Sequence, residues 1–282
     1  MTVDFEPSDG IVFPFPVAQK MRSADFMAEI KGTVVESASV AIWFLGQNSW
    51  ILKSAEGHLI GIDPYLTDWC GSKDTCIRGP KSRLLPVFIE PEDFDVDVVI
   101  LTHSHPDHCD PFTMRRLGIK STACFLVPWH CIAILEDAGI PAKNITLLHP
   151  GQSEQVLSVE VIGTFALPTD DTDLNHLGIV VKFSNGKTYY NSGDTAYCEL
   201  LNSVKKMKPD FMSICINGGY HNLSHWEAAG ITPGIGPKTV APAHFDMMPH
   251  NVQPPHMFRK SLWEHDKTIE YVRIPYYSVH YF

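Results

Sequence analysis

No apolar run in the 282-residue chain approaches the ~18 residues a membrane-spanning helix needs, so a helical membrane protein is excluded. Residues Met1 to Lys20 lack the basic start and apolar block of a signal peptide; they open with acids and carry Pro14 and Pro16. There is no Cys-x-x-Cys. The seven cysteines are irregularly spaced and odd in number, which argues against a disulfide framework and for a reducing, cytoplasmic setting. Positive charge is scarce, with 22 Lys and Arg against 32 Asp and Glu and a net charge of −10. Nucleic acid and anionic membranes select basic surfaces, so neither is expected as the main partner. A small substrate is not excluded, because a local basic pocket survives an acidic average. Low-complexity segments, Gly/Ser linkers and short repeats are also missing. The chain therefore reads as an arm over residues 1–38 followed by one domain over residues 39–282.

Enough apolar residues are present, at 44% with 19% charged, to bury a sizeable core. A short helix is expected at Ser23–Ile30. Strands at Val40–Leu45, Ser49–Lys53 and His58–Ile62, separated by Gly46-Gln47-Asn48 and Glu56-Gly57, read as a meander. Val96–Leu101 is nearly continuous in apolar residues, as a strand covered on both faces should be. Ala123–Val127, Val156–Leu167, Gly178–Phe183, Thr188–Asn191, Phe211–Ile216 and Thr239–Ala243 repeat the strand signal. Helices are expected at Trp129–Ala138, Tyr197–Met207, Ser224–Ala229 and Met257–His265. This order predicts two mixed β-sheets stacked face to face with helices outside, an α+β sandwich.

Fourteen histidines invite a search for clusters, since imidazole is the commonest neutral metal ligand. Thr102-His103-Ser104-His105-Pro106-Asp107-His108 follows the buried strand directly. His103 and His105 alternate and can face one metal, while Asp107 and His108 can swing toward a second, ~3.5–4 Å away. Two more clusters sit at strand ends. Asn191-Ser192-Gly193-Asp194-Thr195 offers a carboxylate able to bridge two ions, and Ala241-Pro242-Ala243-His244 offers a further imidazole.

The order His-x-His-x-Asp-His, Gly-Asp and a late strand-end histidine resembles the metallo-β-lactamase superfamily. Ala41–Gly46, Trp50–Ser54, Asp68-Trp69-Cys70-Gly71, Tyr190–Asp194 and Ala243–Asp246 resemble its L-ascorbate-6-phosphate lactonase-like branch. The likeness covers roughly residues 20–260 and implies a four-layer αββα metallo-β-lactamase fold. By position it implies His103 and His105 on a first metal, Asp107, His108 and His244 on a second, and Asp194 bridging. Asp63, in Gly61-Ile62-Asp63-Pro64, matches an early aspartate that orients the histidine loop; capping a buried turn is a compatible role. The third histidine usual for the first metal is missing from Ala166–Asp171. His176 is the nearest candidate; the alternatives are Asp170 or Asp171 in its place, or a first site that is weak or empty. An oxygen-rich first site would favour manganese over zinc, and the branch resembled is associated with manganese.

The implied activity is hydrolysis, with two divalent ions, Mn²⁺ or Zn²⁺, activating water and Asp107 as the catalytic carboxylate that orients it and relays its proton. A small anionic sugar-acid lactone is the expected substrate; a phosphodiester and a non-catalytic metal-binding role are the alternatives. Lys73, Arg78, Lys81 and Arg83 form a basic segment able to clamp a phosphate, and Arg78 and Lys81 are taken as substrate-binding. Tyr220 and His221, in a glycine-containing loop after a strand, are further substrate-binding candidates. Cys109 reads as packing, and His130 and His250 are given no role. The resemblance also implies a homo-oligomer in which the arm takes part.

Overall fold

A computed structural model describes residues 21–72, 81–118 and 122–282. Strands β1 (Ala41–Phe44), β2 (Trp50–Lys53), β3 (Leu59–Ile62), β4 (Val98–Ile100), β5 (Cys124–Val127) and β6 (Ile145–Leu147) lie side by side in chain order in one sheet. The other holds β7 (Ser153–Val156), β8 (Val159–Phe165), β9 (Leu177–Phe183), β10 (Thr188–Asn191), β11 (Phe211–Cys215), β12 (Thr239–Ala243) and β13 (Glu270–Tyr271), again in chain order. A further strand, β14 (His280–Tyr281), closes the β1 edge of the first sheet. Helices α1 (Ser23–Gly32), α2 (Trp69–Ser72), α3 (Pro111–Gly118), α4 (Trp129–Asp137), α5 (His225–Ile235) and α6 (Pro255–His265) flank the sheets.

Both sheets share one plan. An antiparallel meander, β1-β2-β3 or β8-β9-β10, passes into parallel strands, β4-β5-β6 or β11-β12-β13. Parallel strands need crossovers, which place helices outside and leave β4, β11 and β12 buried on both faces. Loops that follow parallel strands gather at their carboxyl ends, and there the histidine motif after β4 and the His244 turn after β12 come together.

Three differences from the sequence reading have local causes. Helix α3 was not expected, although Asp110-Pro111 is a start signal: the Asp110 carboxylate accepts the Phe112 amide at 2.9 Å, and proline opens the helix. Helix α5, capped by the reciprocal Ser224–Glu227 bonds, runs past Ala229 to Ile235 although Pro233 removes one bond near its end; Gly236, at φ +72°, stops it. The Tyr197–Met207 helix appears as a 3-10 segment, Glu199–Met207.

The described part of the arm is fastened to the domain. Helix α1 buries Phe26, Met27 and Ile30. Its final carbonyls, those of Ile30 and Lys31, and that of Thr33 accept the buried Lys53 ammonium at 3.1, 2.6 and 2.8 Å. Among the described residues no helix is long and apolar enough to cross a membrane.

Candidate metal centre

Asp63 organises the histidine loop. At φ +42° just beyond β3, it is fully buried; Oδ1 accepts the Thr102 amide at 2.8 Å, and Oδ2 accepts the Thr102 hydroxyl at 2.6 Å. The same Oδ2 accepts the Asn48 amide and His108 Nδ1–H, each at 2.7 Å. The loop then folds back through the His105 carbonyl, which accepts the His108 and Cys109 amides at 2.9 and 2.8 Å. Gly193, at φ +58°, brings the Asp194 turn against this loop: a Cβ there would meet the Leu177 carbonyl oxygen at 2.4 Å.

Donor atoms converge in three groups, each within 4.8 Å internally: His103, His105 and His176; His103, His108 and Asp194; and Asp107, His108 and His244. The ring contacts agree, with His103 centred 4.0 Å from His176 and 4.1 Å from His108. Neighbouring bonds select the tautomers. His103 Nδ1 donates to Thr102 Oγ1 at 3.0 Å, whose own hydrogen goes to Asp63; His176 Nδ1 donates to the Asp194 carbonyl at 3.0 Å; and His108 Nδ1 donates to Asp63. The Nε2 atoms of His103 and His176 are left with a lone pair, and that of His108 gains one when a cation displaces its proton. Nε2 of all three, with Asp194 Oδ1, is buried without a hydrogen-bond partner. Buried polar atoms left without partners are costly, and divalent cations held by these groups would satisfy the four gathered here. The mixture of imidazole nitrogen and carboxylate oxygen fits zinc, iron or manganese.

The structure places His176 with His103 and His105 and leaves the neighbouring aspartates at the rim. Asp170 accepts the Thr172 amide and hydroxyl, and its Oδ1 is 3.4 Å from His105 Nε2. Asp171 is exposed and joins no donor group among the described residues. With three imidazoles in the first group, the argument for manganese from an oxygen-rich site loses its basis.

Electrostatics divides the cluster. Burial, reinforced by His108 and His176, pushes His103 well below the ordinary histidine range, and burial also lowers His176. Burial opposes charge on His108 and His244 too, but Asp194 and Asp107 outweigh it: His108 rises well above its usual value and His244 rises to about 9. Burial would raise Asp194 and Asp107, yet the facing histidines win and hold both carboxyls below the usual range. The facing carboxylates thus favour imidazolium at His108 and His244 in the metal-free protein, and an ion bound there displaces those protons. We expect roughly two protons released per chain on metal binding at pH 7. The sign follows: affinity strengthens as pH rises through about 9, where His244 loses its proton, and goes on gaining for as long as His108 stays protonated. Titration calorimetry in buffers of different ionisation enthalpy measures the release; buffer-independent heats would contradict it.

A cleft of about 200 Å³ opens over the cluster, walled by His105, Asp107, Asp194 and His244 and rimmed by Lys81, Thr169, Tyr220 and His250. Lys81 and Tyr220 thus stand where the sequence reading expected substrate contacts. His221 does not: its ring turns to the Thr169 carbonyl, 2.9 Å from Nδ1, and it does not line the cleft. Arg78, like Lys73, lies outside the described residues. Arg83 is unavailable to a substrate, because its guanidinium is spent on the carbonyls of Tyr65, Thr67, Leu85 and Pro86. Cys109 is fully buried, in keeping with packing.

Sequence reasoning missed several contributors. Gln47, read only as a turn residue, sits at φ +55° and donates from Nε2 to Asp107 Oδ2 at 2.7 Å. Its carbonyl accepts the His244 amide at 2.6 Å. Asn222 donates to Asp194 Oδ2 at 2.6 Å. His250 lines the cleft and pairs with the Tyr220 hydroxyl at 3.0 Å. The one available signal was polar residues crowded into short turns between fully apolar strands.

A family model described as a beta-lactamase superfamily domain matches residues 58–257, a span containing all seven candidate ligands. A UPF0173 metal-dependent hydrolase from Thermodesulfovibrio yellowstonii is 29% identical over 238 residues, covering 77% of this chain and 82% of that protein. Among solved structures, isothiocyanate hydrolase from Delia radicum gut bacteria superposes with a TM-score of 0.69 at 19% identity, covering 85% of this chain and 98% of that one. Igni18, a metallo hydrolase from Ignicoccus hospitalis, gives 0.68 at 19% identity, with coverages of 86% and 98%.

Proposed function

The chain belongs to the beta-lactamase superfamily, and from that premise we propose that it is a metal-dependent hydrolase, a lactonase that opens a small anionic sugar-acid lactone. The observation that carries the reading is the set of buried atoms without hydrogen-bond partners on His103, His108, His176 and Asp194, beside a cleft that Asp194, Asp107, His244 and Lys81 line. His103, His105 and His176 would hold one divalent ion, Asp107, His108 and His244 a second, with Asp194 between them. Bound ions supply a polarised substrate carbonyl and a water of reduced proton affinity.

The chain's own residues do the rest. Asp107, ionised at neutral pH and held by Gln47, borders the cleft, so its carboxylate can accept a proton from the attacking water and return it to the leaving ring oxygen. Asn222 fixes Asp194 so that its oxygens face His108 and His244. Lys81 offsets negative charge on the substrate, and Tyr220 and His250 offer hydroxyl and imidazole contacts to its polar groups. The net charge of −10 supports a small molecule over nucleic acid as substrate. The six cysteines among the described residues are all free, which supports a reducing, cytoplasmic setting. Assembly as a homo-oligomer is part of the proposal.

Metal analysis of purified protein, with hydrolysis assays on lactones and phosphodiesters before and after chelation, tests this. About two ions per chain and lactone opening that returns on adding back Mn²⁺ or Zn²⁺ is the expected result. Phosphodiester turnover without lactone opening would replace the substrate class. Protein that takes up no metal and turns over nothing would end the hydrolase reading.

A further inference from the structure

Asp173 belongs to none of the donor groups, yet its carboxylate reaches the backbone beside all three imidazoles of the first group. It is fully buried in the segment joining β8 to β9. Oδ2 accepts the amide of Ser104, the residue between His103 and His105, at 2.8 Å. Oδ1 accepts the amide of Asn175, the residue before His176, at 2.7 Å. His130 Nδ1, at the start of α4, approaches the same oxygen at 2.7 Å. Next to it Thr172 places its hydroxyl 2.9 Å from His105 Nε2.

We infer that Asp173 is a positioning residue for the first metal position: one carboxylate ties the loop bearing His103 and His105 to the loop bearing His176. The donor set explains why it is an acid. Three N–H groups converge on it, so every position around it calls for an acceptor. An asparagine would offer one oxygen and turn its NH₂ toward a donor. The topology supplies the need, because His176 comes from the other sheet's β8–β9 connection: on one side the Leu177 amide donates to the Thr102 carbonyl at 2.9 Å, and Asp173 adds the tie on the other side, at Ser104 and Asn175. Histidine ligands held through their surroundings are placed within tenths of an ångström; loosening that support typically costs about 10- to 100-fold in metal affinity.

The inference rests on the metal reading above, and the test separates the two. Zn²⁺ and Co²⁺ binding to the full chain is measured by calorimetry and by cobalt visible absorption. His176→Ala and His244→Ala serve as references for the first and second positions. Asp173→Asn is expected to bind at the second position as wild type does and to lose about 10- to 100-fold at the first, with altered cobalt absorption there. His130→Ala, which removes a partly exposed support, should shift the first position in the same direction by roughly threefold, and it carries the test if Asp173→Asn does not fold. Wild-type affinity at both positions in these variants overturns the inference. So does equal weakening of both positions in folded protein, which would mark Asp173 as general scaffold. Wild-type protein that binds neither ion overturns the metal reading itself.

Discussion

Asp194→Ala is expected to leave a folded protein that retains at most one divalent ion and loses roughly 10²- to 10³-fold in turnover, the scale for removing a preorganised charge at a reacting centre. Asp194 Oδ1 stands 3.4 Å from His108 Nε2 and Oδ2 stands 3.3 Å from His244 Nε2, so one carboxylate faces both halves of the cluster. Without it, His108 and His244 lose the main charge that keeps them protonated, and the proton release on metal binding falls below that of wild type. Asp194→Asn retains the shape and the volume but not the charge, so it should resemble alanine in metal content. Elemental analysis with turnover under saturating metal is the check. Two ions and undiminished turnover in either variant would remove Asp194 from the centre.

Asp63→Ala should act on the fold as well as the site. It strands the donors of Asn48, Thr102 and His108 in a fully buried place, and breaking a buried charged network of this kind costs about 3–5 kcal/mol. Against a usual total of about 5–15 kcal/mol, that loss dominates any relief from removing a buried carboxylate. Thermal unfolding of the metal-free protein is expected about 10 °C lower, and the second metal position should weaken because nothing then holds the His108 tautomer. A melting temperature within 2–3 °C of wild type, roughly what a 1 kcal/mol change gives, would show that water replaces the carboxylate adequately.

The parts of the centre legible in the sequence were those compressed into short stretches. His103 to His108 could be read because a β-strand delivers its end residues to one place whatever the rest of the chain does. Asp194 and His244 could be read because each follows an apolar strand of the right length. Helix α3 is also legible, through the Asp110-Pro111 start signal. Arg83 was misjudged because a cation in sequence says nothing about the carbonyls around it. Gln47 carried no distinguishing signal, since a glutamine in a turn is ordinarily exposed and this one is buried beside Asp107 and His244.

What the sequence by itself determined is the class of fold and the core of the donor set. Alternation and apolar runs fix which segments become strands, and contiguous ligands need no long-range information to meet. Only the tertiary structure decided that His176, rather than Asp170 or Asp171, stands with His103 and His105, and that Asp173 bonds the Ser104 and Asn175 amides while Gln47 bonds Asp107. Those choices depend on how one sheet's β8–β9 connection lies against the other sheet's β4 loop. That distance is set by the packing of two sheets, a sum over many weak contacts that no local pattern of residues encodes.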